Sequence, residues 1–242
     1  MSGSYNLLID IGNSCIKFRK YDKGSQLSSR AETASSPEEL KQHIELAEKI
    51  YLSCVGRRSL VDDINKIATS NKVEVIEART QAAQFGLSNA YSVTSNMGVD
   101  RWLAMLAANT KSKLKSFIVV DVGTAITVDA VADGQHLGGW IAPGFRLLRD
   151  SLFKNTQNVF GKDEEISEID FQKDTPECVE AGCKAQIVGL LHTAIFTLSK
   201  KNQDFDIFIT GGNRNILKQE DFAYPLFFHE NLVLDGLTLF VD

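Results

Sequence analysis

The sequence predicts an α/β chain built as two like-folded domains, facing each other across a cleft, and three observations predict it. Strand-like apolar runs alternate with helix-like segments along most of the chain. The pattern LLIDIGNSCIKF (7–18) returns as FIVVDVGTAITVDAV (117–131): apolar run, aspartate, one residue, glycine, a small polar residue, second run. Each copy opens a three-strand meander, turning at Asp22–Gly24 in one and at Asp133-Gly134 in the other. The repeat places the domains at 1–111 and 112–242.

In chain order, YNLLIDI (5–11) is apolar except at Asn6 and Asp10 and reads as a strand covered on both faces. Gly12, Asn13 and Ser14 turn the chain into a returning strand, Cys15 to Tyr21. Ser36-Pro37-Glu38-Glu39 combines a serine cap, a first-position proline and first-turn acids, predicting a helix to about Ala47. A strand (49–56), a short helix (59–70) and a strand (72–78) follow. Residues 79–98 read as loop, and DRWLAMLAANTK (100–111) as a helix with Asp100 near its start. The second half repeats the order: strands at 117–122 and 126–132, then QHLGGWIAPG (135–144) returning. Residues 145–160 read as helix, 161–175 as a polar, acidic connection, and Glu177–Leu198 as the longest helix. FDIFITGGN (205–213) is a strand ending on glycines, FAYPLFFHE (222–230) a packed edge, and LVLDGLTLFVD (232–242) is expected to close the second half.

Bulk properties narrow the function. The chain has 242 residues, 43% hydrophobic, which is enough for real cores. The net charge of −5, with acids and bases intermixed, argues against a nucleic-acid groove. No run of 18 apolar residues predicts a membrane span, and no signal peptide is visible, so the cytoplasm is the expected compartment. Cys15, Cys54, Cys178 and Cys183 form no CxxC pair and read as buried free thiols in a reducing compartment. The four histidines lack zinc-site spacing, and His192 reads as structural. Trp102 and Trp140 read as partly buried anchors, Trp140 near the cleft.

The duplicated turn suits phosphate chemistry. Glycine lets backbone approach a ligand, and successive turn amides can face phosphate oxygens. A strand-end aspartate, Asp10 or Asp121, can hold a cation that screens phosphate charge. Asn13, Ser14 and Thr124 add hydrogen-bonding side chains. Either copy alone is equally well a simple strand turn; the matched pair favours a site. Gly211-Gly212 could pass close to a flat ligand such as an adenine or ribose. Neither a P-loop nor a GxGxxG fingerprint occurs, so a nucleotide site here is of another kind. In GVDRWLAMLAA (98–108), Asp100 is either a first-turn acid favoured by the helix dipole or the acceptor of a hydroxyl proton. Arg101 would help hold an anionic group.

Taken together, DIGNSCIKF, GVDRWLAMLAA, DVGTAITVD, GGWIAPG and ITGGN resemble the ordered motif set of the type III pantothenate kinases, from Leu7 to Gly236. The resemblance implies a pair of ribonuclease-H-like domains of the actin-like ATPase type, as in acetate and sugar kinases. It implies transfer of the ATP γ-phosphate to the terminal hydroxyl of pantothenate, giving 4'-phosphopantothenate, the first step of coenzyme A synthesis. It also implies roles for residues. Asp10, Ile11, Gly12, Asn13, Ser14, Cys15, Ile16 and Lys17 would form the first phosphate segment, with Asp10 near Mg²⁺. Gly98, Val99, Asp100 and Arg101 would contact pantothenate, with Asp100 as proton acceptor, and Tyr91 would touch the same substrate. Asp121 would bind a monovalent cation, K⁺ or NH₄⁺, and Thr124 the ATP phosphates. Gly211, Gly212 and Asn213 would lie near the nucleoside, and Thr175 would reach pantothenate, often across the interface of a homodimer. Two positions depart from the family pattern: Ser14 stands where threonine is usual, keeping the hydroxyl, and Asp174 precedes Thr175 where Asn or Ser is common. Two other readings stay open: another kinase of the same superfamily, and a nucleotide-sensing protein without catalysis. A phosphorylation assay with pantothenate and other alcohols separates them.

Overall fold

The computed structural model describes residues 5–22, 24, 27–156, 168–202 and 204–241. By contacts the chain divides into two units, Met1–Lys111 with Asn231–Asp242, and Ser112–Glu230.

The first unit is a mixed sheet with helices on both faces. Its strands are β1 (Tyr5–Ile11), β2 (Ile16–Asp22), β3 (Leu27–Ser28), β4 (Glu32–Ala34), β5 (Ala47–Cys54) and β6 (Glu74–Glu77). The order is β3-β2-β1-β5-β6, with β4 also pairing β2. β1 runs antiparallel to β2 and parallel to β5, and β5 runs parallel to β6. The parallel pairs need crossovers, supplied by α1 (Lys41–Glu45) and α2 (Arg58–Ser70). Side chains alternate across β1. Leu7, Ile9 and Ile11 join one buried cluster with Leu40, Ile44, Val61 and Ile64. Leu8 and Asp10 therefore point to the other face, where α3 (Val99–Lys111) and α6 (Leu232–Leu237) lie against β5 and β1. Between β6 and α3 runs a short hairpin, β7 (Ala83–Gln84) with β8 (Leu87–Ser88).

The second unit repeats the plan. Its strands are β9 (Phe117–Val122), β10 (Ala125–Ala132), β11 (Gln135–Pro143), β12 (Asp206–Thr210) and β13 (Leu226–Phe228), ordered β13-β12-β9-β10-β11. β9 is antiparallel to β10 and parallel to β12, as β1 is to β2 and β5. Asp133-Gly134 forms the two-residue turn, with Ala132 opposite Gln135. Ile118, Val120 and Val122 pack beneath α4 (Phe145–Asn155) and α5 (Thr175–Ser199). Asp121 therefore points to the face away from α5. α5 is long and apolar enough to cross a membrane by composition, but half of its apolar window is buried inside the protein, as in a core helix.

Several expectations are corrected. The serine cap at Ser36 does not form; the Glu39 carboxylate instead accepts from the Ser35 amide at 3.1 Å, and the segment opens as a 3-10 turn, Pro37–Leu40. Only Cys183 among the thiols is buried; Cys178 is exposed and Cys15 and Cys54 are half-buried, all four free. Part of the expected connection, 161–167, and the end of the helix expected to 160 lie outside the described residues.

The tail does not close the second half. Residues 231–242 belong to the first unit, where α6 packs on α3. Leu232, Leu234 and Leu237 are buried, and Asp235 accepts from Arg19 at 2.9 Å and pairs with Lys111 at 3.2 Å. Gly236 sits against the backbone of Leu103, so close that an added Cβ would collide with the Leu103 carbonyl. Gly236→Ala is expected to destabilise the first unit by roughly 1–3 kcal/mol, because two helix backbones must separate. Urea unfolding checks this; an unchanged midpoint would refute it.

Candidate active site

In the first unit the site is built at the C-terminal end of β1. The strand delivers Asp10 and Ile11, Gly12 N–H closes on the Cys15 carbonyl at 3.2 Å, and Asn13 and Ser14 are exposed at the tip. β2 then starts with Ile16 and puts Lys17 opposite Asp10. On the other flank, parallel pairing sets Ser53 of β5 beside Asp10. The Ser53 hydroxyl donates to Asp10 Oδ1 at 2.6 Å.

This surrounding pushes the Asp10 pKa up to about 6. Burial is the largest cause; the Asp100 charge pushes the same way, while Ser53 and Lys17 oppose it. Asp100 thus lies near enough to feel Asp10. It occupies the first turn of α3, where its Oδ1 accepts from the Arg101 amide at 2.8 Å. Any side chain at Gly98 would lie only 2.5 Å from that oxygen. Arg101 is almost wholly buried and donates to the Tyr91 hydroxyl at 3.0 Å. Five of the predicted residues, Asp10, Tyr91, Gly98, Asp100 and Arg101, are therefore linked by contact or by charge at one end of the first unit.

The second unit repeats the device with differences. Gly123 N–H closes on the Ala125 carbonyl at 3.0 Å, a turn one residue shorter than the first, and Thr124 is exposed at its tip. Parallel pairing puts Thr210 beside Asp121, the place Ser53 holds beside Asp10. Gly211 follows with φ +96°, against Asp121 Oδ1 and the Val122 carbonyl, leaving no room for a Cβ. The Asn213 amide reaches the Val122 carbonyl at 2.9 Å, as the Val55 amide reaches the Ile11 carbonyl at 3.1 Å. The Gly144 amide, at the start of α4, donates to the Thr124 carbonyl at 2.9 Å, so the GGWIAPG segment braces the turn. Thr175 stands apart, exposed in the first turn of α5 and hence on the helix covering the opposite face. Trp140 lines a cavity of about 320 Å³ with Val128, Ala130, Ala194 and Leu198, and no predicted site residue lines it.

No cluster of three or more His, Cys, Asp or Glu with metal-binding geometry occurs among the described residues. An ion held by one protein carboxylate, with water and phosphate as its other ligands, is the habit of Mg²⁺. Asp10 fits it: Ser53 holds Oδ1, and no described residue hydrogen-bonds Oδ2. Asp121 Oδ1 and the Val122 carbonyl both lie against Gly211, and Asp121 is the carboxylate of this turn that could hold a cation. Sequence reasoning missed Ser53, Thr210 and Gly144. The signal for Ser53 was present as the one aliphatic hydroxyl in the run IYLSCV.

Asp10 also ties the site to stability. Because its folded pKa lies above the ordinary carboxylate value, the folded state keeps a proton that the unfolded chain releases between about pH 4 and pH 6. Stability from this group is therefore present below that window and is lost as the pH rises through it. Asp10→Asn should lack this loss, gaining roughly 1–3 kcal/mol on the wild type between pH 4 and pH 7. Denaturant unfolding at stepped pH without divalent ions tests it; parallel curves would contradict it.

A sequence model of the type III pantothenate kinase family matches residues 6–196. Relatives carrying that name include one from Pseudoalteromonas atlantica, 36% identical over 96% of this chain and 95% of its own. Another, from Pseudoalteromonas translucida, is 35% identical over 98% and 96%. A third, from Hahella chejuensis, is 33% identical over 96% and 94%. Solved structures share the fold at low identity. A Campylobacter jejuni protein described as a putative Baf family transcriptional activator has a TM-score of 0.62 at 22% identity, covering 97% of this chain and 96% of its own. A putative 2-dehydro-3-deoxygalactonokinase from Sinorhizobium meliloti has a TM-score of 0.62 at 11%, covering 97% of each. The ethanolamine utilization protein EutJ from Carboxydothermus hydrogenoformans reaches 0.54 at 12%, covering 99% and 91%. The duplicated, mixed-sheet architecture is thus that of the actin-like ATPase and sugar kinase folds, and the chain belongs to the type III pantothenate kinase family.

Proposed function

We propose that this protein transfers the γ-phosphate of ATP to the terminal hydroxyl of pantothenate, with Asp100 as the residue that receives the hydroxyl hydrogen. The observation that carries the reading is the placement of Asp100: first turn of α3, beside a side-chain-free Gly98, within electrostatic reach of Asp10. From the first turn of α3 it would work by orienting the hydroxyl for in-line attack. Tyr91, braced by the buried Arg101, supplies a hydroxyl and an aromatic face toward the same substrate. Thr124 and the turn-tip amides not spent on closing the turns would meet phosphate oxygens, and Gly211, Gly212 and Asn213 would lie near the nucleoside.

Asp10 would hold Mg²⁺ and Asp121 would hold K⁺ or NH₄⁺. When bound, these ions supply positive charge against the phosphate oxygens. The chain's own part is to keep both carboxylates fixed and partly shielded from water. Thr175, on the helix opposite Asp121, is read as serving the pantothenate site of a second subunit in a homodimer. Exposed Trp140 and Phe196 in the second unit support a surface that a second copy would cover. The free thiols support action in a reducing cytoplasm.

Incubation with ATP and either pantothenate or a panel of other alcohols tests the reading; phosphorylation of a different alcohol in preference to pantothenate would replace it. Asp100→Asn should lower turnover at saturating pantothenate by about 10²-fold or more. Near-wild-type turnover would remove Asp100 from its role. Replacing K⁺ and NH₄⁺ with a bulky organic cation at constant ionic strength should depress activity, and unchanged activity would remove the cation from Asp121.

A further inference from the structure

Ser53 is the one aliphatic hydroxyl in the stretch Ile50–Ser53 of β5, where Ile50, Tyr51 and Leu52 are buried, and it is itself wholly inaccessible. A hydroxyl buried without a partner costs stability, so what it bonds to matters. Its one hydrogen bond among the described residues goes to Asp10 Oδ1, and its 2.6 Å length is that of a hydroxyl on a charged oxygen. The bond follows from strand pairing: the parallel register sets Ser53 opposite Asp10, so neither partner is on a mobile loop. The same register position in the second unit holds Thr210, also buried, beside Asp121. Both halves thus put a buried hydroxyl next to the strand-end aspartate.

We infer that Ser53 is a positioning residue, locking Asp10 by its Oδ1 so that Oδ2 alone is offered to a divalent cation. This rests on the reading of Asp10 as the Mg²⁺ carboxylate. A carboxylate free to rotate would present either oxygen or both, and its binding would carry the entropy of fixing it. Held by one oxygen, it is preset for one-oxygen coordination, which an ion retaining water and phosphate ligands requires.

The test uses the full chain and Ser53→Ala, Ser53→Cys and Ser53→Thr. Mn²⁺ binding, read by electron paramagnetic resonance with a non-hydrolysable ATP analogue present, gives a result independent of turnover. Ser53→Ala and Ser53→Cys should weaken it about 10-fold, and Ser53→Thr should restore it to within about 3-fold. In the kinase assay the Mg²⁺ concentration for half-maximal rate should rise in parallel, while the pantothenate KM stays put and turnover at saturating Mg²⁺ falls less. If Ser53→Ala does not fold, Ser53→Cys carries the comparison, since it fills the same space with a much weaker donor. Unchanged Mn²⁺ binding in Ser53→Ala or Ser53→Cys, or a Ser53→Thr that binds no better than they do, overturns the inference. Loss of thermal stability without any change in ion dependence does the same, leaving Ser53 a structural residue. Were the wild type to phosphorylate no pantothenate yet still bind Mn²⁺ in a Ser53-dependent way, the substrate reading would fall and this one would stand. Were Asp10→Asn to bind Mn²⁺ as the wild type does, the metal role of Asp10 and the Ser53 inference would both fall.

Discussion

Parallel pairing of each unit's first strand with the strand that returns after the helical crossover is the constraint on which the candidate site depends. β1 alone ends in an acidic turn of a common kind. Paired with β5, the same turn gains Ser53 against Asp10 and a Val55 amide on the Ile11 carbonyl. Paired with β12, the β9 turn gains Gly211 against Asp121 and an Asn213 amide on the Val122 carbonyl. Strand alternation then completes the placement: with Leu7, Ile9 and Ile11 facing α1 and α2, Asp10 must face the side of α3. A slip of one residue in β1 would bury the carboxylate in the apolar cluster instead.

Within this shared frame the two halves hold their aspartates by different means. Asp10 is fixed by a side-chain hydroxyl, opposed by Lys17 and disturbed by the Asp100 charge, in surroundings that disfavour ionisation. Asp121 is packed against backbone, with a main-chain carbonyl beside it and a shorter turn ahead of it. Duplication explains the likeness of the strands. The unlikeness of the partners gives two carboxylates of one type different surroundings.

Much of this was legible along the chain because it is local. The Asp-x-Gly turns, the Asp133-Gly134 hairpin, the start of α3 and the long α5 are each set by residues within a few positions of one another. One error was local: Ser36 resembled a cap, but its side chain caps no amide, while the Glu39 carboxylate accepts from the Ser35 amide. The others came where a distant contact decided. The tail resembled the end of the second half, but Gly236 and Asp235 made a better fit to α3 and β2 of the first unit. Ser53 passed unnoticed because its partner lies 43 positions away.

The sequence by itself therefore determined the duplicated α/β plan, the acidic turns and the family, since these rest on short-range patterns repeated in order. Only the tertiary structure decided which hydroxyl meets Asp10, which glycine crowds Asp121, and which unit the C-terminal helix completes. Those outcomes depend on strand register and backbone approach between segments far apart in the chain, and no local pattern encodes either.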